Sequence, residues 1–426
     1  MKSSFKKIAA GVLAVVLAAS LCGCDKGYIM TVDGMEIRNG IYLTYLQSAY
    51  TDAGTALQEQ NSANSDTSDT SETSETSDTS EDSDSPASDE SSNTSEESIP
   101  ITEEEIDGKT GSQWIKDEAL KSVRRFVAIR RKCAELGLEL TADEQKNLNT
   151  QFSQVWDTEN QYVYYVFGYK TMGEYYESKG IGKESMKEIY KSNELQTKLF
   201  EYYYGKGGEL EVPESEIDDY LKENRAAVKV LEFEYKDASG NALEKDEDKK
   251  AVKDEAQKYA DRINNGEKAV DVFYDYNLKK AEDSAKAKAE TDYKEDNEEG
   301  LSKDEWIKKQ VEDAKVTKAE SDDSLDQIIS KDSSSYDEKT TDYIFGAAAD
   351  GKANLFETDD KVYLIIKEDI TKKTSWKETN NLDVLKEMKG KEFKEMLNDF
   401  GKDYEVKLDE SLVNNKYKPE KLNTKS

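Results

Sequence analysis

Between Arg38 and Lys109 the chain contains no basic residue, and this gap limits what the chain can fold into. From Ser62 to Ser83 a serine recurs at every third position, mostly with Asp, Glu and Thr between. Such a segment has almost no apolar surface to bury, so burial cannot offset the entropy lost on ordering. We therefore predict a disordered acidic insertion at residues 53–100. A plain solvated loop is the simplest interpretation, with weak calcium binding, glycans or phosphates as alternatives.

The N-terminus is predicted to direct export. Three lysines precede an apolar run, Ile8 to Leu21. At about 14 residues this run is shorter than the ~20 that a membrane-spanning helix needs, which is typical of an export signal over residues 1–23. Its ending, Leu21-Cys22-Gly23-Cys24, resembles the bacterial lipobox and implies diacylglyceryl attachment to Cys24. We expect an extracytoplasmic protein anchored to the cell membrane by lipid; an ordinary signal with incidental cysteines is the alternative.

The composition excludes several classes of function. The chain has no histidine, so a Ser-His-Asp triad, a Cys-His pair, an HExxH zinc site and a His-ligated haem are all absent. A net charge of −32 argues against nucleic-acid binding. Beyond the signal and Cys24 only Cys133 remains, at helical spacing among apolar residues, and we predict that it is a buried small hydrophobe. We expect no cofactor and no metal.

Local patterns predict a helical first half. Tyr28–Val32 reads as a strand, Asp33-Gly34 as a hairpin turn, and Gly40–Tyr50 as a helix. Apolar residues then recur at helical spacing through residues 101–211. Thr141 with Glu144 predicts a capping box, and the glycine run after residue 204 predicts a hinge.

The second half alternates strands and helices. A short helix is predicted after Pro213, and residues 280–320 are polar enough to be a solvated helix or a flexible arm. The remaining predicted elements are a strand Val228–Tyr235, a helix Lys249–Asn264, a strand Lys361–Glu368, a helix Leu382–Phe400 and an extended tail through Val406 and Leu408.

Aromatic residues concentrate in one part of the helical region. They are Tyr162, Tyr164, Tyr165, Phe167, Tyr169, Tyr175 and Tyr176. Tyrosine combines a large apolar face with a polar tip, which suits weak and tolerant binding. These side chains are therefore candidate client-binding residues. Internal packing between helices is the competing interpretation for each ring.

Three motifs, taken in order, resemble the PrsA and SurA group of parvulin-type extracytoplasmic foldases. The first is Val32-Asp33-Gly34-Met35-Glu36-Ile37, in the family's opening hairpin pattern. The second is Val212-Pro213-Glu214-Ser215-Glu216-Ile217 with Tyr220 and Asn224, as at the entry to a parvulin domain. The third is the closing helix at Glu392–Leu412, expected to pack on the N-terminal region.

The resemblance implies an α+β protein: a mostly helical SurA/PrsA-like chaperone domain, plus a degenerate parvulin-like four-stranded antiparallel sheet with helices. Together with the composition, the resemblance divides the chain into the predicted parts. They are the signal peptide (1–23), the N-terminal hairpin and helix (24–52), the acidic insertion (53–100), the helical chaperone region (101–211), the parvulin-like domain (212–375) with its polar arm (280–320), and the C-terminal helix and tail (376–426).

Parvulins carry one histidine on the first strand and one on the last. By alignment, those positions hold Val230 and Leu364 here. The family's glycine-rich segment is missing, and its central Cys or Asp has no clear counterpart. Two aliphatic residues cannot supply a hydrogen-bond network, and the X-Pro rotation barrier is ~18–20 kcal/mol. We therefore expect no catalytic residues and weak or absent peptidyl-prolyl isomerase activity.

The resulting hypothesis is a membrane-anchored chaperone that assists the folding of exported proteins. Its partners would be unfolded or newly exported polypeptides and, through the lipid anchor, the membrane, with no nucleic acid. An active parvulin-type isomerase and a non-catalytic surface scaffold lipoprotein are the alternatives. The sequence carries no indication of oligomeric state.

Overall fold

The computed structural model describes residues 27–66, 100–295 and 299–422 of an α+β protein, as predicted. The chain divides into two compact units. The first comprises Met1–Glu209 and Lys389–Ser426, and the second comprises Leu210–Met388. The predicted signal, the lipidation residue Cys24 and residues 67–99 of the acidic insertion lie outside the described residues.

The first unit opens with the predicted hairpin. Strand β1 (Tyr28–Val32) pairs antiparallel with β2 (Met35–Arg38). Asp33 (φ 47°) and Gly34 (φ 82°) form the two-residue turn, since Asp and Gly tolerate the left-handed backbone that such turns require.

The hairpin is followed by a mostly helical region. Its elements are α1 (Asn39–Asp66), β3 (Glu105–Ile106), β4 (Lys109–Thr110), α2 (Gly111–Leu136), α3 (Ala142–Asp157), α4 (Gln161–Phe167), α5 (Met172–Ser178) and α6 (Lys183–Tyr204). Both halves of the predicted Thr141–Glu144 capping box are present at the start of α3. The buried residues of α2, including Ile115, Val123 and Phe126, are part of the hydrophobic core of this unit.

The predicted start of the acidic insertion at residue 53 is wrong, because α1 continues to Asp66. Ala53 is fully buried, and Ala56 and Leu57 pack against the core of the unit. These apolar side chains give the helix a packing partner beyond Tyr50, so it extends through a stretch whose composition indicates solvation.

Cys133 is buried as predicted, and its thiol lies 3.5 Å from the Leu195 carbonyl oxygen. Burial raises the pKa of this thiol to about 11. At neutral pH the group is therefore a protonated thiol that behaves as a packing residue.

The second unit contains the main sheet. Its elements are α7 (Glu214–Asn224), β5 (Arg225–Glu234), α8 (Asp246–Asn264), α9 (Ala269–Asp292), α10 (Lys303–Asp313), β6 (Gln327–Ser330), α11 (Glu338–Gly346), β7 (Ala353–Glu357) and β8 (Lys361–Glu368). The four strands are antiparallel in the order β6-β5-β8-β7. Of the polar residues 280–320, the end of α9 and all of α10 are helical.

Alternation along β5 and β8 gives the sheet two packed faces. Leu231, Phe233 and Leu364 pack with residues of α8 and α9. Val228 and Ile365 pack on the opposite face with residues of α11.

The chain ends in a long helix and a short strand. Helix α12 (Thr374–Gly401) begins in the second unit, and its residues from Lys389 onward belong to the first. There Phe393 meets Phe200, with ring centroids 5.2 Å apart. Strand β9 (Val406–Leu408) pairs with β1, which completes a three-stranded sheet of the first unit in the order β2-β1-β9.

Candidate functional site

Helix α4 presents a surface of exposed aromatic side chains. Tyr162 is 67% exposed, Tyr164 is 57% exposed and Tyr165 is 80% exposed, and two further apolar side chains beside them are exposed. We call this set the α4 surface: Tyr162, Tyr164, Tyr165, Val166 and Phe167. Within α4 only Val163 is buried. This short helix therefore has one apolar side chain buried in its unit and five apolar side chains exposed to solvent.

Local sequence holds α4 in place at both ends. The Asn160 side chain accepts hydrogen bonds from the backbone N–H groups of Tyr162 and Val163, which caps the helix. Gly168, at φ 77°, ends it in the left-handed conformation that glycine adopts freely. The Asn160 N–H also donates to the Lys170 carbonyl oxygen at 2.9 Å, which ties the two ends of this segment together.

A run of aromatic rings connects the α4 surface to the core. The ring of Phe167 lies 4.5 Å from Tyr175, Tyr175 lies 5.4 Å from Tyr176, and Tyr176 lies 6.0 Å from Trp156. Trp156 then stacks on buried Phe152 at 5.5 Å. Since aromatic pairs at 4.5–7 Å add roughly 0.5–1.5 kcal/mol beyond area burial, these contacts anchor the exposed helix on a fixed base.

The structure divides the seven predicted aromatic residues. Tyr162, Tyr164, Tyr165 and Phe167 are exposed, as a binding role requires, and Tyr169 and Tyr175 are half-buried. Tyr176 packs against the core of the first unit, so internal packing accounts for it. Sequence reasoning missed Val166, although it lies in the same apolar run.

The α4 surface has the size and chemistry of a weak binding patch. Three tyrosine side chains at these exposures offer roughly 300–500 Å² of surface, within the range of the functional patches found on monomers. At ~25 cal/mol per Å², burying it yields about 8–13 kcal/mol before the cost of association, which is of similar size. Binding of an apolar segment here would therefore be weak and reversible.

The two positions predicted to replace the parvulin histidines do not come together. They lie on the neighbouring strands β5 and β8, but Val230 pairs with Ile365, while Leu364 pairs with Leu231. Val230 packs on the α11 face of the sheet and Leu364 on the α8–α9 face. The alignment that predicted a shared site for these two positions therefore fails, since neighbouring residues of a strand lie on opposite faces of the sheet. The residues that pair with them, Ile365 and Leu231, are aliphatic as well.

Carboxylates cluster elsewhere in the second unit, where Asp323, Asp326 and Glu368 place oxygens within 4.8 Å of one another. Two ammonium groups already contact this cluster. Lys229 lies 2.7 Å from Asp326 and 2.5 Å from Glu368, and Lys373 pairs with all three acids. The cluster is therefore an internal ion-pair network with its own cations.

Comparison of the chain with protein-family models, curated proteins and solved structures found no match. In the described part of the chain, no helix combines the length and the apolar character needed to cross a membrane. The α4 surface and the sheet of the second unit are the features of this structure that bear on function.

Proposed function

We propose that this protein is a membrane-anchored, extracytoplasmic chaperone that binds exposed apolar segments of newly exported polypeptides. The observation that carries the proposal is the α4 surface, where Tyr162, Tyr164 and Tyr165 are exposed on a capped helix. The near balance between the free energy gained by burying this surface and the cost of association supports it, because a chaperone must release its clients. The predicted lipobox at Cys24 supplies the location.

The second unit supports a chaperone that lacks efficient prolyl isomerisation. Its four-stranded antiparallel sheet with helices is what the resemblance to parvulin-type foldases implies. The central pairs of β5 and β8 around the two predicted positions, Val230 with Ile365 and Leu231 with Leu364, hold aliphatic residues. An aliphatic pair packs the sheet without offering donors that could fix a catalytic carboxylate or thiol.

The test is suppression of aggregation of an unfolded model protein, followed by light scattering. The mature chain without its lipid should reduce scattering. The variant Tyr162→Ser/Tyr164→Ser/Tyr165→Ser should lose most of this effect, because it removes the apolar faces and retains the cap of α4.

The matched control replaces tyrosines of similar exposure elsewhere in the first unit. Tyr28 is 48% exposed and Tyr202 is 43% exposed. The variant Tyr28→Ser/Tyr202→Ser should suppress aggregation as the unchanged chain does. Equal loss in both variants, or no suppression by the unchanged chain, would refute the role of the α4 surface.

A further inference from the structure

Strand β5 is paired along most of its length on one side and along less than half of it on the other. On the β8 side, Ala227–Glu234 pair without interruption. On the β6 side, pairing stops after Arg225–Val228, since β6 begins at Gln327 opposite Val228. Within residues 27–66, 100–295 and 299–422, no strand pairs with Lys229–Glu234 on the β6 side of β5.

The direction of the backbone groups at this open edge follows from the neighbouring hydrogen bonds. The Tyr235 N–H donates to the Asp360 carbonyl oxygen at 2.8 Å, on the β8 side. Because successive residues of a strand point their backbone groups to alternate sides, those of Val230, Glu232 and Glu234 point to the open edge. The Tyr276 hydroxyl agrees with this assignment, since it reaches in from α9 to donate to the Glu232 carbonyl oxygen at 2.6 Å. That carbonyl is therefore already bonded, so the groups that an added strand would use are the N–H and C=O of Val230 and the N–H of Glu232.

A groove of about 470 Å³ runs along this edge. One wall comes from α9, with Phe273, Tyr276 and Asn277, and another from the turn before β6, with Leu325. Phe273 and Tyr276 belong to the apolar cluster of the α8–α9 face. The groove therefore combines an apolar wall with the unpaired N–H and C=O groups of Val230 and the N–H of Glu232.

We propose that this groove, which we call the β5 edge groove, binds an extended polypeptide segment by strand addition along β5. Backbone groups that repeat every two residues, at about 6.8 Å, are matched by another extended backbone, whose alternate side chains would enter the groove. The walls of α9 and of the turn before β6 flank the edge, so a flexible segment reaches it more readily than the sheet edge of a second folded copy. This site is separate from the α4 surface.

The test is titration of the full mature chain with a fluorescent peptide of about ten residues, alternating valine and threonine with a lysine at each end. Two N-methylated forms carry the same number of methyl groups. In one form they lie two residues apart and block one edge of the peptide; in the other they lie on adjacent residues and block both. We expect the first to bind nearly as the parent does, and the second to bind about tenfold or more weakly.

Variants locate the site on the protein. Asn277 is exposed on α9 and lines the groove, so Asn277→Trp should fill it and weaken binding about tenfold. Ser284 is exposed on the same helix outside the groove, and Ser284→Trp is the matched control, expected to bind as the unchanged chain does. Circular dichroism and thermal unfolding confirm that both variants fold.

Each of the following results would overturn the proposal: unchanged affinity in Asn277→Trp, equal binding of both N-methylated peptides, or no saturation of the unchanged chain below about 1 mM peptide. The α4 triple tyrosine variant should bind this peptide normally. Loss of peptide binding in that variant would place the peptide on the α4 surface and would likewise overturn the β5 edge groove. The aggregation assay with the tyrosine variants tests the chaperone role separately.

Discussion

Lys229 lies on the central strand β5 with only 1% of its side chain exposed, and its replacement by methionine should destabilise the second unit. Its ammonium contacts Asp326 at 2.7 Å and Glu368 at 2.5 Å. Methionine retains most of the apolar stem, so the change isolates the charge. Removing one partner of a buried ion pair costs ~3–5 kcal/mol when the other partner is left alone.

The expected cost of Lys229→Met is smaller than ~3–5 kcal/mol, because Asp326 and Glu368 retain a second cation, Lys373. Lys373 lies 2.6 Å from Asp326 and also pairs with Glu368, and the Glu368 side chain is 31% exposed. Its third partner, Asp323, is 86% exposed and solvent screens that charge. One ammonium then serves the two less exposed carboxylates, which leaves one negative charge partly uncompensated. We therefore expect Lys229→Met to lower the free energy of unfolding by about 2–3 kcal/mol. Adding Glu368→Gln should restore part of the loss, because it removes the unpaired charge.

The assay is hydrogen–deuterium exchange of β5 and β8 peptides across a urea series, which reports on the second unit. The matched control is Lys361→Met on β8, whose ammonium pairs with Glu232 at 2.9 Å and is 19% exposed. We expect it to cost less than about 1 kcal/mol. If Lys229→Met costs no more than Lys361→Met, the ion-pair network does not stabilise the sheet and the reasoning fails.

The same network predicts a pH dependence. Burial raises the pKa of Glu368, but hydrogen bonds from Lys229 and Lys373 outweigh it and hold this pKa below its usual value. A carboxyl whose pKa is lower in the folded state contributes stability above its unfolded pKa of ~4.3, and this contribution is lost as the pH falls through the folded value. The stability gap between the unchanged chain and Lys229→Met should therefore narrow as the pH is lowered below about 4.

Four further predictions concern other parts of the chain. Cys133, whose pKa is raised to about 11, should resist thiol reagents at pH 8 in the folded protein and react rapidly in denaturant. Hydrogen bonds from Lys198 and Thr141 lower the pKa of Glu144 to about 2. The unchanged chain should therefore be more stable than Glu144→Gln by a constant amount above pH ~4.3, and this difference should vanish as the pH falls through about 2. Unfolding of both proteins measured across an acid titration checks this. An exchange assay on an X-Pro peptide should show isomerisation rates close to the uncatalysed value. A clear acceleration would contradict the inference that a sheet with aliphatic residues at these positions does not catalyse prolyl isomerisation. Cys24→Ala should abolish lipid attachment, measured by mass spectrometry, and release the protein from the membrane fraction.

Features specified by neighbouring residues were predicted well. The Asp33-Gly34 turn, the capping box of α3 and the strand Lys361–Glu368 all appear where the sequence places them. Each depends on a local preference: a left-handed turn, a side chain that reaches the nearest free N–H group, or a run of apolar and β-branched residues.

Two features that depend on distant partners were predicted wrongly. From the composition, α1 was predicted to end near Tyr50. In the structure it continues to Asp66, with Ala53 buried in the core of the first unit. The sequence placed Val230 beside Leu364, whereas the register of β5 and β8 pairs Val230 with Ile365. Register depends on contacts between strands far apart in the chain, and a shift of one residue reverses the face.

The sequence by itself determined the absence of imidazole chemistry, the acidic character and the concentration of tyrosines around α4. Tertiary structure decided which rings remain exposed, since the stack through Tyr175 and Tyr176 buries one end of the aromatic run and leaves the other in solvent. It also left one edge of β5 without a strand partner beyond Val228, and it surrounded Lys229 with carboxylates. These outcomes depend on three-dimensional proximity, because burial and pairing are properties of contacts between segments.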